Sequence, residues 1–246
     1  MNTQPQSTEA SQGSLPTTRA GSGAMFDAIA DRYDLLNRII SLGVDQRWRA
    51  RAVRALELGP APRVLDLATG TGDLAIAISE MHRDASVVGV DPSVKMLEVG
   101  RRKIAELGLA ERIDLREGEA EALPFEDASF DGVTIAFGIR NVADRPRGLA
   151  EMRRVTKPGG RVVILELGEP EGGVMGALAR VHVHGVVPAV GGLLSGRKEY
   201  AYLQASIAAF PKPASFARMM EDAGLLEVAS TKLMFGAANI FVGRRG

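Results

Sequence analysis

Apolar segments of two kinds alternate along most of the chain: short runs typical of buried strands and longer stretches with the helical period. The predicted strands span 63–68, 86–91, 113–118, 131–137 and 160–167, and a turn is predicted over 157–160 before the last of them. The helices predicted between them span 73–82, 93–107 and 145–155. Strands that alternate with helices in this way build a parallel sheet, because each helix returns the chain to the opposite end of the sheet. The pattern therefore predicts an α/β fold with at least five parallel strands.

The N-terminal part combines a polar tail with helices. Residues 1–23 are rich in Ser, Thr, Gln and Gly and contain no apolar run, so we expect a disordered tail and no signal peptide. A helix is predicted over 45–56, with Asp45 as its N-cap and Trp48 and Ala52 on its apolar face. Arginines mark the opposite face of this helix, at Arg47, Arg51 and Arg54.

The C-terminal part begins with an apolar, glycine-rich stretch over 174–196 that has no clean periodicity. A helix is predicted over 213–225. The strands 226–235 and 238–245 then form a predicted hairpin around Gly236. No internal repeat and no second core are evident, so a single domain is expected.

Composition narrows the possible partners. Thirty Lys and Arg residues balance thirty Asp and Glu residues, so no global field attracts nucleic acid, and we expect no nucleic-acid partner. The absence of cysteine and the presence of only three histidines argue against disulfides and against a metal site. No window reaches the roughly 18 consecutive apolar residues of a membrane-spanning helix. We therefore expect a cytoplasmic protein.

A glycine-rich turn follows the first predicted strand in the segment VLDLATGTGDLA (64–75). Gly70 and Gly72 allow the backbone to pass close to a ligand at the start of the next helix, where unpaired N–H groups favour a polar or anionic group. Asp91 ends the second strand, where an acidic side chain can accept both hydroxyls of a nucleoside ribose. The same letters satisfy the G-x-G-x-x-G/A pattern of dinucleotide-binding proteins, so an NAD-dependent oxidoreductase stays open.

Three further features favour a methyl donor over NAD. Asp66 lies within the first strand, and the segments EGEAEALPFEDASFDGV (117–133) and KPGGRVVILEL (157–167) resemble the later motifs of class I methyltransferases. Each feature alone also has a structural explanation, since glycines after strands form turns and Asp91 could cap the next helix. The order and spacing of all of them together indicate a methyltransferase that binds S-adenosyl-L-methionine.

Four segments carry a closer resemblance: YDLLNRIISLGVDQRWR (33–49), VLDLATGTGD (64–73), FGIRNVAD (137–144) and YAYLQASIAAFP (200–211). Together they resemble the ubiquinone/menaquinone biosynthesis C-methyltransferases, and the likeness runs from Met25 to Arg244. The resemblance implies a Rossmann-like, mostly parallel seven-stranded sheet with helices on both faces and an antiparallel C-terminal strand. It also implies C-methylation of a polyprenylated hydroquinone.

The resemblance further implies one methyltransferase domain over 24–246. Within it, residues 24–62 would form a helical cap over the substrate, and residues 174–212 an insertion on the substrate side. Asp45 favours demethylmenaquinol as the substrate and menaquinol as the product, because many ubiquinone-pathway relatives carry histidine at that position. A polyprenyl benzoquinol remains the alternative substrate.

The donor site that the resemblance implies uses the glycine turn and the ends of the following strands. Its residues are Asp66, Gly70, Thr71, Gly72, Asp91, Glu119, Ala120 and Ala136. Glu119 departs from the Asp or Asn common in the family. Its longer carboxylate can still accept a hydrogen bond from the adenine amino group. Ala136 replaces the Ser of some relatives, so we expect it to contact the donor through its backbone. Gly168 is a further departure, where the family usually has serine.

Methyl transfer to carbon needs a base and a partner for an oxyanion, because the ring carbon becomes nucleophilic when the neighbouring quinol hydroxyl loses its proton. The resemblance places Arg140, Asn141 and Asp73 at this point. Arg140 stays protonated in proteins, so we assign it to the oxyanion, with Asn141 orienting the hydroxyl and Asp73 taking the proton directly or through water. Tyr33 and Tyr200 are expected to cover the substrate, with packing as an equally good explanation.

The implied substrate carries a polyprenyl tail and is therefore membrane-borne. The stretch 174–196 is our candidate for the groove that takes the tail, with ordinary core or a homodimer interface as equal alternatives. The arginine face of the helix 45–56 could touch anionic lipid transiently at the inner face of the plasma membrane, although a solvated face is the preferred explanation. His182 and His184 have no place in the family pattern and stay unassigned.

Three other functions remain open at this point. A different small-molecule or protein methyltransferase would keep the donor residues and lose the quinol. An NAD-dependent oxidoreductase would use the same glycine turn. A non-catalytic cofactor-binding module would leave Asp73 and Arg140 without a role.

Overall fold

The computed structural model describes residues 43–169 and 201–246, the backbone of 197–200, and isolated positions of the N-terminal segment. Those positions are Asp27, Ala30, Tyr33, Asp34, Arg38 and Ser41. The predicted tail over 1–23, the apolar stretch 174–196 and the histidines His182 and His184 lie outside the described residues. The predictions made for them therefore stay predictions.

Seven strands form one twisted sheet. They are β1 (Arg63–Leu67), β2 (Ser86–Asp91), β3 (Ile113–Glu117), β4 (Phe130–Ala136), β5 (Thr156–Leu167), β6 (Leu225–Leu233) and β7 (Ala238–Arg245). Their order across the sheet is β3-β2-β1-β4-β5-β7-β6. The pairs among β1 to β5 are parallel, whereas β7 runs antiparallel to both of its neighbours. This topology confirms the predicted fold class.

Helices cover both faces of the sheet. They are α1 (Asp45–Ala55), α2 (Asp73–Met81), α3 (Val94–Glu106), α4 (Arg145–Val155), α5 (Arg197–Ala208) and α6 (Pro213–Asp222). α1, α2 and α3 bury one core, which includes Trp48 and Leu74, and α4 and α6 bury a second, which includes Met152 and Phe216. Neighbouring strand residues alternate between the two cores, as side chains on a pleated strand must. None of these described helices has the length and apolar character needed to cross a membrane.

The elements differ from their predicted bounds where local geometry overrides the pattern. Asp45 is the first residue of α1 and not its N-cap, which is Val44. β5 begins at Thr156, and residues 157–160, predicted as a turn, are its bulge: Thr156 pairs with Phe130, and the regular ladder resumes only after them. α6 ends at Asp222, before the predicted 225.

The strand order fixes where a ligand can bind. From the central strand β1 the chain moves outward to β2 and β3, then returns to the other side of β1 to form β4 and β5. The loops that follow β1 and β4 therefore leave the sheet in opposite directions and open a crevice between them. Both strands end at this crevice, at Leu67 and Ala136.

Candidate active site

An open cleft with a volume of about 130 Å³ lies beyond the carboxyl ends of β1, β2 and β4. Tyr33 borders it from the N-terminal segment. The loop after β1 contributes Ala68 and Gly70, and the end of β2 contributes Val90 and Asp91. The loop after β2 and the start of α3 contribute Pro92, Ser93 and Met96. The loops after β3 and β4 contribute Gly118, Glu119, Ala120, Glu121, Phe137, Gly138, Asn141 and Val142.

The glycine turn adopts a conformation that only glycine takes without strain. Gly70 and Gly72 have φ of 57° and 81°, and Gly72 is the N-cap of α2. A Cβ on Gly70 would also lie 3.2 Å from Met96 Cε, which borders the same cleft. The turn thus brings bare backbone to the wall of the cleft at a helix N-terminus, where a polar or anionic group is favoured.

Asp91 joins the glycine turn to the next strand. Its Oδ2 accepts a hydrogen bond from the Gly70 N–H and its Oδ1 accepts one from the Ser93 N–H, both at 2.8 Å. Burial raises the pKa of Asp91, and the two N–H donors oppose that rise. Each carboxylate oxygen can accept a second hydrogen bond, so Asp91 can still receive the ribose hydroxyls of a nucleoside. The residues at this end of the cleft therefore fit the predicted methyl donor.

Two strand ends store backbone strain at the cleft. Ala68 after β1 and Phe137 after β4 have left-handed φ of 46° and 59°, and both line the wall. Such conformations are uncommon for residues with a side chain, cost about 1–3 kcal/mol each and cluster at functional sites. The Phe137 N–H is held by the Leu165 carbonyl at 2.7 Å, which fixes the sharp exit from β4.

Arg140 lies in the short 3₁₀ turn Ile139–Asn141 after β4. Its Nη1 donates to Glu166 Oε1 and to the Phe137 carbonyl, both at 2.6 Å, and its backbone N–H donates to Glu166 Oε2 at 3.1 Å. Arg140 does not line the cleft; its guanidinium is held by Glu166 of β5. The proposed role of Arg140 at an oxyanion therefore stays a prediction, and the structure gives this residue a structural partner.

Asn141, the next residue of the turn, does line the cleft. Its Oδ1 accepts a hydrogen bond from the Tyr202 hydroxyl of α5 at 3.1 Å. Arg145 holds the same turn from the side, because its Nη2 donates to the Arg140 carbonyl at 2.7 Å. The turn is thus fixed by β5, α4 and α5, and the amide of Asn141 is presented to the cleft by an ordered backbone.

Asp73, the first residue of α2, is part of a charged cluster. Its Oδ1 lies 2.5 Å from Lys103 Nζ, and Lys103 also donates to Asp34 Oδ2 at 2.6 Å. Asp34 Oδ1 in turn accepts from the Thr71 hydroxyl at 2.5 Å. Burial alone would raise the pKa of Asp73, but the charges of Arg49 and Lys103 outweigh it and hold this pKa below its usual range. A carboxylate stabilised in this way is a weaker proton acceptor.

Asp66 lies beneath the glycine turn and is 1% exposed. Its Oδ2 accepts a hydrogen bond from the Thr69 hydroxyl at 2.7 Å, and its Oδ1 is buried without a partner. Burial raises the pKa of Asp66 to about 7, although Thr69 and the charge of Arg49 oppose the rise. A buried polar atom without a partner at such a site is expected where a ligand or water completes the hydrogen bonds.

The structure brings together part of the predicted site. The predicted residues that line the cleft are Tyr33, Gly70, Asp91, Glu119, Ala120 and Asn141. The predicted residues that lie behind this wall, all of them described, are Asp66, Thr71, Gly72, Asp73, Ala136 and Arg140. The backbone of Tyr200 belongs to α5, and its side chain lies outside the described residues. Ala136 is the last residue of β4 and does not line the cleft. The next two residues, Phe137 and Gly138, line the cleft instead.

Sequence reasoning missed Glu166, Lys103 and Tyr202. The first two pair with residues 26 and 30 positions away, so no local spacing marks them. Tyr202 and Tyr200 stand two positions apart on one helix, and the sequence offers no reason to prefer either.

Solved structures of methyltransferases share the fold. One is a S-adenosylmethionine-dependent methyltransferase from Thermotoga maritima, described as a possible histamine N-methyltransferase. It has a TM-score of 0.64 and 20% identity, with 91% of this chain and 99% of that chain covered. A S-adenosylmethionine-dependent methyltransferase from Aquifex aeolicus has a TM-score of 0.58 and 19% identity, with 79% and 88% covered. At such low identity these similarities support the fold alone.

Sequence relatives are much closer. The demethylmenaquinone methyltransferase of Thermus thermophilus is 51% identical over 90% of this chain and 100% of its own length. The protein of the same name from Deinococcus radiodurans is 48% identical, with 89% and 90% covered. A ubiquinone/menaquinone biosynthesis C-methyltransferase from Geobacter sulfurreducens is 45% identical, with 90% and 87% covered. The model of the ubiE/COQ5 methyltransferase family matches residues 17–245. The chain therefore belongs to the ubiE/COQ5 methyltransferase family, and this confirms S-adenosylmethionine as its methyl donor.

Proposed function

We propose that this enzyme transfers the methyl group of S-adenosylmethionine to a ring carbon of demethylmenaquinol, giving menaquinol. The observation that carries the proposal is the 51% identity to a demethylmenaquinone methyltransferase over that protein's whole length. Relatives named for both ubiquinone and menaquinone biosynthesis are 44–46% identical, so a polyprenyl benzoquinol is the second candidate substrate. Asp45 favours the naphthoquinol by the family resemblance, because many ubiquinone-pathway relatives carry histidine at this position.

The cleft offers one side to the donor and another to the acceptor. Gly70, Asp91 and Glu119 supply backbone and carboxylate groups suited to a nucleoside and its amino-acid tail. Phe137 and Asn141, at the end of β4, supply an aromatic ring and an amide suited to a flat quinol with hydroxyls. The methyl group is an electrophile on a sulfonium when the donor is bound, and these residues would bring a ring carbon to it.

Asn141 is proposed to orient the reacting hydroxyl, because it alone of the three predicted catalytic residues lines the cleft. Arg140 acts from behind the wall, because with Glu166 it fixes the turn that carries Asn141. Its proposed role at the developing oxyanion is electrostatic. Asp73 remains the proposed proton acceptor and would act through water, since it does not itself line the cleft. Its lowered pKa keeps it charged at neutral pH and also makes it a weak base.

The substrate's tail places the reaction at a membrane surface. Arg47, Arg51 and Arg54 are exposed on α1, so this face of the helix could approach anionic lipid at the inner face of the plasma membrane. On this proposal the enzyme is cytoplasmic and contacts the bilayer transiently. A homodimer, and a groove for the tail formed by 174–196, belong to the same proposal and rest on the sequence pattern alone.

Quinone profiling of a strain that lacks this enzyme tests the proposal. We expect demethylmenaquinone to accumulate and menaquinone to disappear, and the wild-type gene to reverse both changes. A gene carrying Asp91→Ala should fail to reverse them, whereas Asp114→Ala, at an exposed position of β3, should succeed. An unchanged menaquinone pool in the deletion strain would contradict the proposal, and accumulation of a demethylated benzoquinone would favour the second candidate.

A further inference from the structure

The amide of Asn141 is held in one orientation by Tyr202. The Tyr202 hydroxyl of α5 donates a hydrogen bond to Asn141 Oδ1 at 3.1 Å, and Asn141 lines the cleft. Because an amide is planar and its oxygen and nitrogen point in different directions, holding Oδ1 toward Tyr202 also fixes where Nδ2 points. Within the described part of the chain, no hydrogen bond engages Nδ2. Asn141 therefore keeps its two N–H donors for a ligand in the cleft.

Arg145 favours this direction of the hydrogen bond. An arginine side chain has only N–H donors, so a hydroxyl beside it presents its oxygen to the guanidinium and directs its own proton elsewhere. Arg145 interacts electrostatically with Tyr202. Its Cζ also lies 5.7 Å from the centroid of the ring of Phe210, which follows α5. The Tyr202 proton is thus directed at Asn141, and the atom of Asn141 that accepts it is the carbonyl oxygen.

The backbone beneath the amide is fixed as well. The Arg140 N–H donates to Glu166 Oε2 at 3.1 Å, and the Arg140 carbonyl accepts from Arg145 Nη2 at 2.7 Å. Arg145 Nε donates to the Ile139 carbonyl at 3.2 Å. The charged residues around the turn are therefore Arg140, Glu166 and Arg145, and none of these three lines the cleft. The polar side chain that the turn Ile139–Asn141 presents to the cleft is that of Asn141.

We propose that Tyr202 is a positioning residue for methyl transfer, which turns the amide of Asn141 so that Nδ2 donates a hydrogen bond to the quinol oxygen as that oxygen loses its proton. A donor aimed at the place where negative charge develops stabilises the quinolate, the form whose ring carbon is nucleophilic. With the amide reversed, Oδ1 would face the same oxygen and oppose its charge. The inference rests on the proposed quinol substrate.

The reaction that this hydrogen bond assists is balanced without a further reactant. The hydroxyl proton passes to the base, and the ring carbon gains the methyl group as the carbon–sulfur bond of the donor breaks. The positive charge of the sulfonium and the negative charge of the quinolate cancel, which leaves neutral S-adenosylhomocysteine. The ring carbon then loses its hydrogen as a proton and the oxygen regains one, so the aromatic quinol is restored.

Methylation of short-chain demethylmenaquinol by the full chain, without oxygen, tests the proposal. Tyr202→Phe removes only the hydroxyl. We expect its kcat at neutral pH to fall about two- to tenfold, the loss expected for one neutral hydrogen bond, and its affinity for S-adenosylhomocysteine to stay unchanged. Ser206→Ala is the matched control, because it removes a hydroxyl of the same helix that donates to the Leu203 carbonyl at 2.8 Å. It should leave both quantities unchanged.

Two readouts separate positioning from support of the fold. In an Asn141→Ala background, Tyr202→Phe should cause no further loss of kcat, because the amide through which Tyr202 acts is gone. The loss caused by Tyr202→Phe alone should also shrink as the pH approaches about 10, the pKa of a phenol, because hydroxide then supplies the quinolate without help from Asn141. A general loosening of the cleft would produce neither effect.

Asn141→Asp tests the direction of the amide without changing Tyr202. It keeps the size of the side chain and an acceptor for the Tyr202 hydroxyl, but it offers no donor and adds a negative charge beside the quinolate. Its kcat should therefore fall below that of Asn141→Ala. Thermal unfolding without ligand reports whether each variant is folded.

Three results would overturn the proposal. A wild-type kcat in folded Tyr202→Phe would mean that the hydroxyl positions nothing. Equal losses in both backgrounds, or a loss that stays constant with pH, would mean that Tyr202 only supports the fold. A wild-type rate in Asn141→Asp would mean that Nδ2 donates nothing to the quinol. Failure of the proposed function has a different signature: the wild type would bind S-adenosylhomocysteine but transfer no methyl group to the quinol, and the inference would fall with it.

Discussion

Arg140 and Glu166 form an ion pair inside the protein, with Nη1 2.6 Å from Oε1 and side chains only 6% and 0% exposed. Glu166 also accepts hydrogen bonds from the backbone N–H groups of Arg140 and Leu167, at 3.1 Å and 2.8 Å. One carboxylate therefore ties the turn that carries Asn141 to the end of β5. This pair explains how Asn141 is held in place at the cleft by two residues that do not line it.

Removing one partner of this pair should destabilise the protein strongly. Glu166→Ala leaves the guanidinium of Arg140 buried and unpaired, so the free energy of unfolding should fall by about 3–5 kcal/mol. Urea unfolding measures it, with Glu57→Ala as the control: Glu57 is 65% exposed and paired with Arg161, so its loss should cost under about 1 kcal/mol.

The double variant Glu166→Ala with Arg140→Met sharpens this prediction. Because it removes both charges, it should be more stable than the sum of the two single effects predicts. Additive losses would show that the two groups do not interact, and the account of the turn would have to be given up.

Asp91 should be needed to bind the methyl donor, whereas the fold should form without it. Asp91→Ala removes a buried acceptor, so the affinity for S-adenosylhomocysteine should fall by about 1–3 kcal/mol of binding free energy. The exposed Asp114→Ala on β3 should bind as the wild type does. Calorimetry that finds unchanged affinity in a folded Asp91→Ala variant would remove Asp91 from the donor site.

The pH dependence of turnover tests Asp73 as the proton acceptor. Its pKa lies below the ordinary value of 3.8, so the wild-type rate should lose its dependence on this group above about pH 4. Lys103→Met removes one of the charges that hold this pKa down, so the acidic limb of the kcat profile should move to higher pH. Lys95→Met, exposed on the same helix α3, should leave the limb in place.

Asp73→Asn completes that test, because it keeps the shape of the side chain and removes the ionisation. We expect a lower kcat and the loss of the acidic limb. A profile that matches the wild type would mean that another group takes the proton, and Tyr33, which lines the cleft, is the next residue to replace.

Asp66 should make the protein less stable as pH rises, the opposite of the effect of a carboxylate whose pKa is lowered by folding. Its pKa is raised from 3.8 to about 7 by burial, so the folded state binds more protons than the unfolded state between these values. Stability therefore falls as pH rises from about 4 to about 7, by about 4 kcal/mol for this group. Asp66→Asn has no such ionisation. The unfolding free energy of the variant minus that of the wild type should therefore increase as pH rises over this range. A difference that stays constant would contradict the raised pKa.

Much of the fold could be predicted from the sequence because its signals are local. The apolar strands around Asp66 and Thr134 are buried on both faces of the sheet, and the helices between them follow the 3.6-residue period. The pattern predicted the antiparallel hairpin of β6 and β7, but the pairing of β7 with β5, which inserts it between β5 and β6, is not a local property. The bulge over 157–160 was missed because a turn and a bulge use the same residues.

The site was predictable where a motif lies in one stretch of chain. Gly70 and Asp91, at the ends of neighbouring strands, were found in this way and meet at 2.8 Å. The partners that set the charge of Asp73 and hold Arg140 come from distant segments, and only the folded chain brings Lys103 and Glu166 to them. A charged residue near a motif thus indicates a role in the site. Its ion-pair partners decide its pKa and where its side chain points.

The most direct test of the account is methyl transfer to a quinol of defined structure. The enzyme is incubated with S-adenosylmethionine carrying an isotopically labelled methyl group and with short-chain demethylmenaquinol or the matching benzoquinol, and the products are examined by nuclear magnetic resonance. The account predicts that the label appears as a methyl group on a ring carbon of the naphthoquinol, at a rate well above that for the benzoquinol. It also predicts that Asn141→Ala slows this transfer while donor binding holds. A label found on a quinol oxygen, or no transfer to either quinol by enzyme that binds S-adenosylhomocysteine, would contradict it.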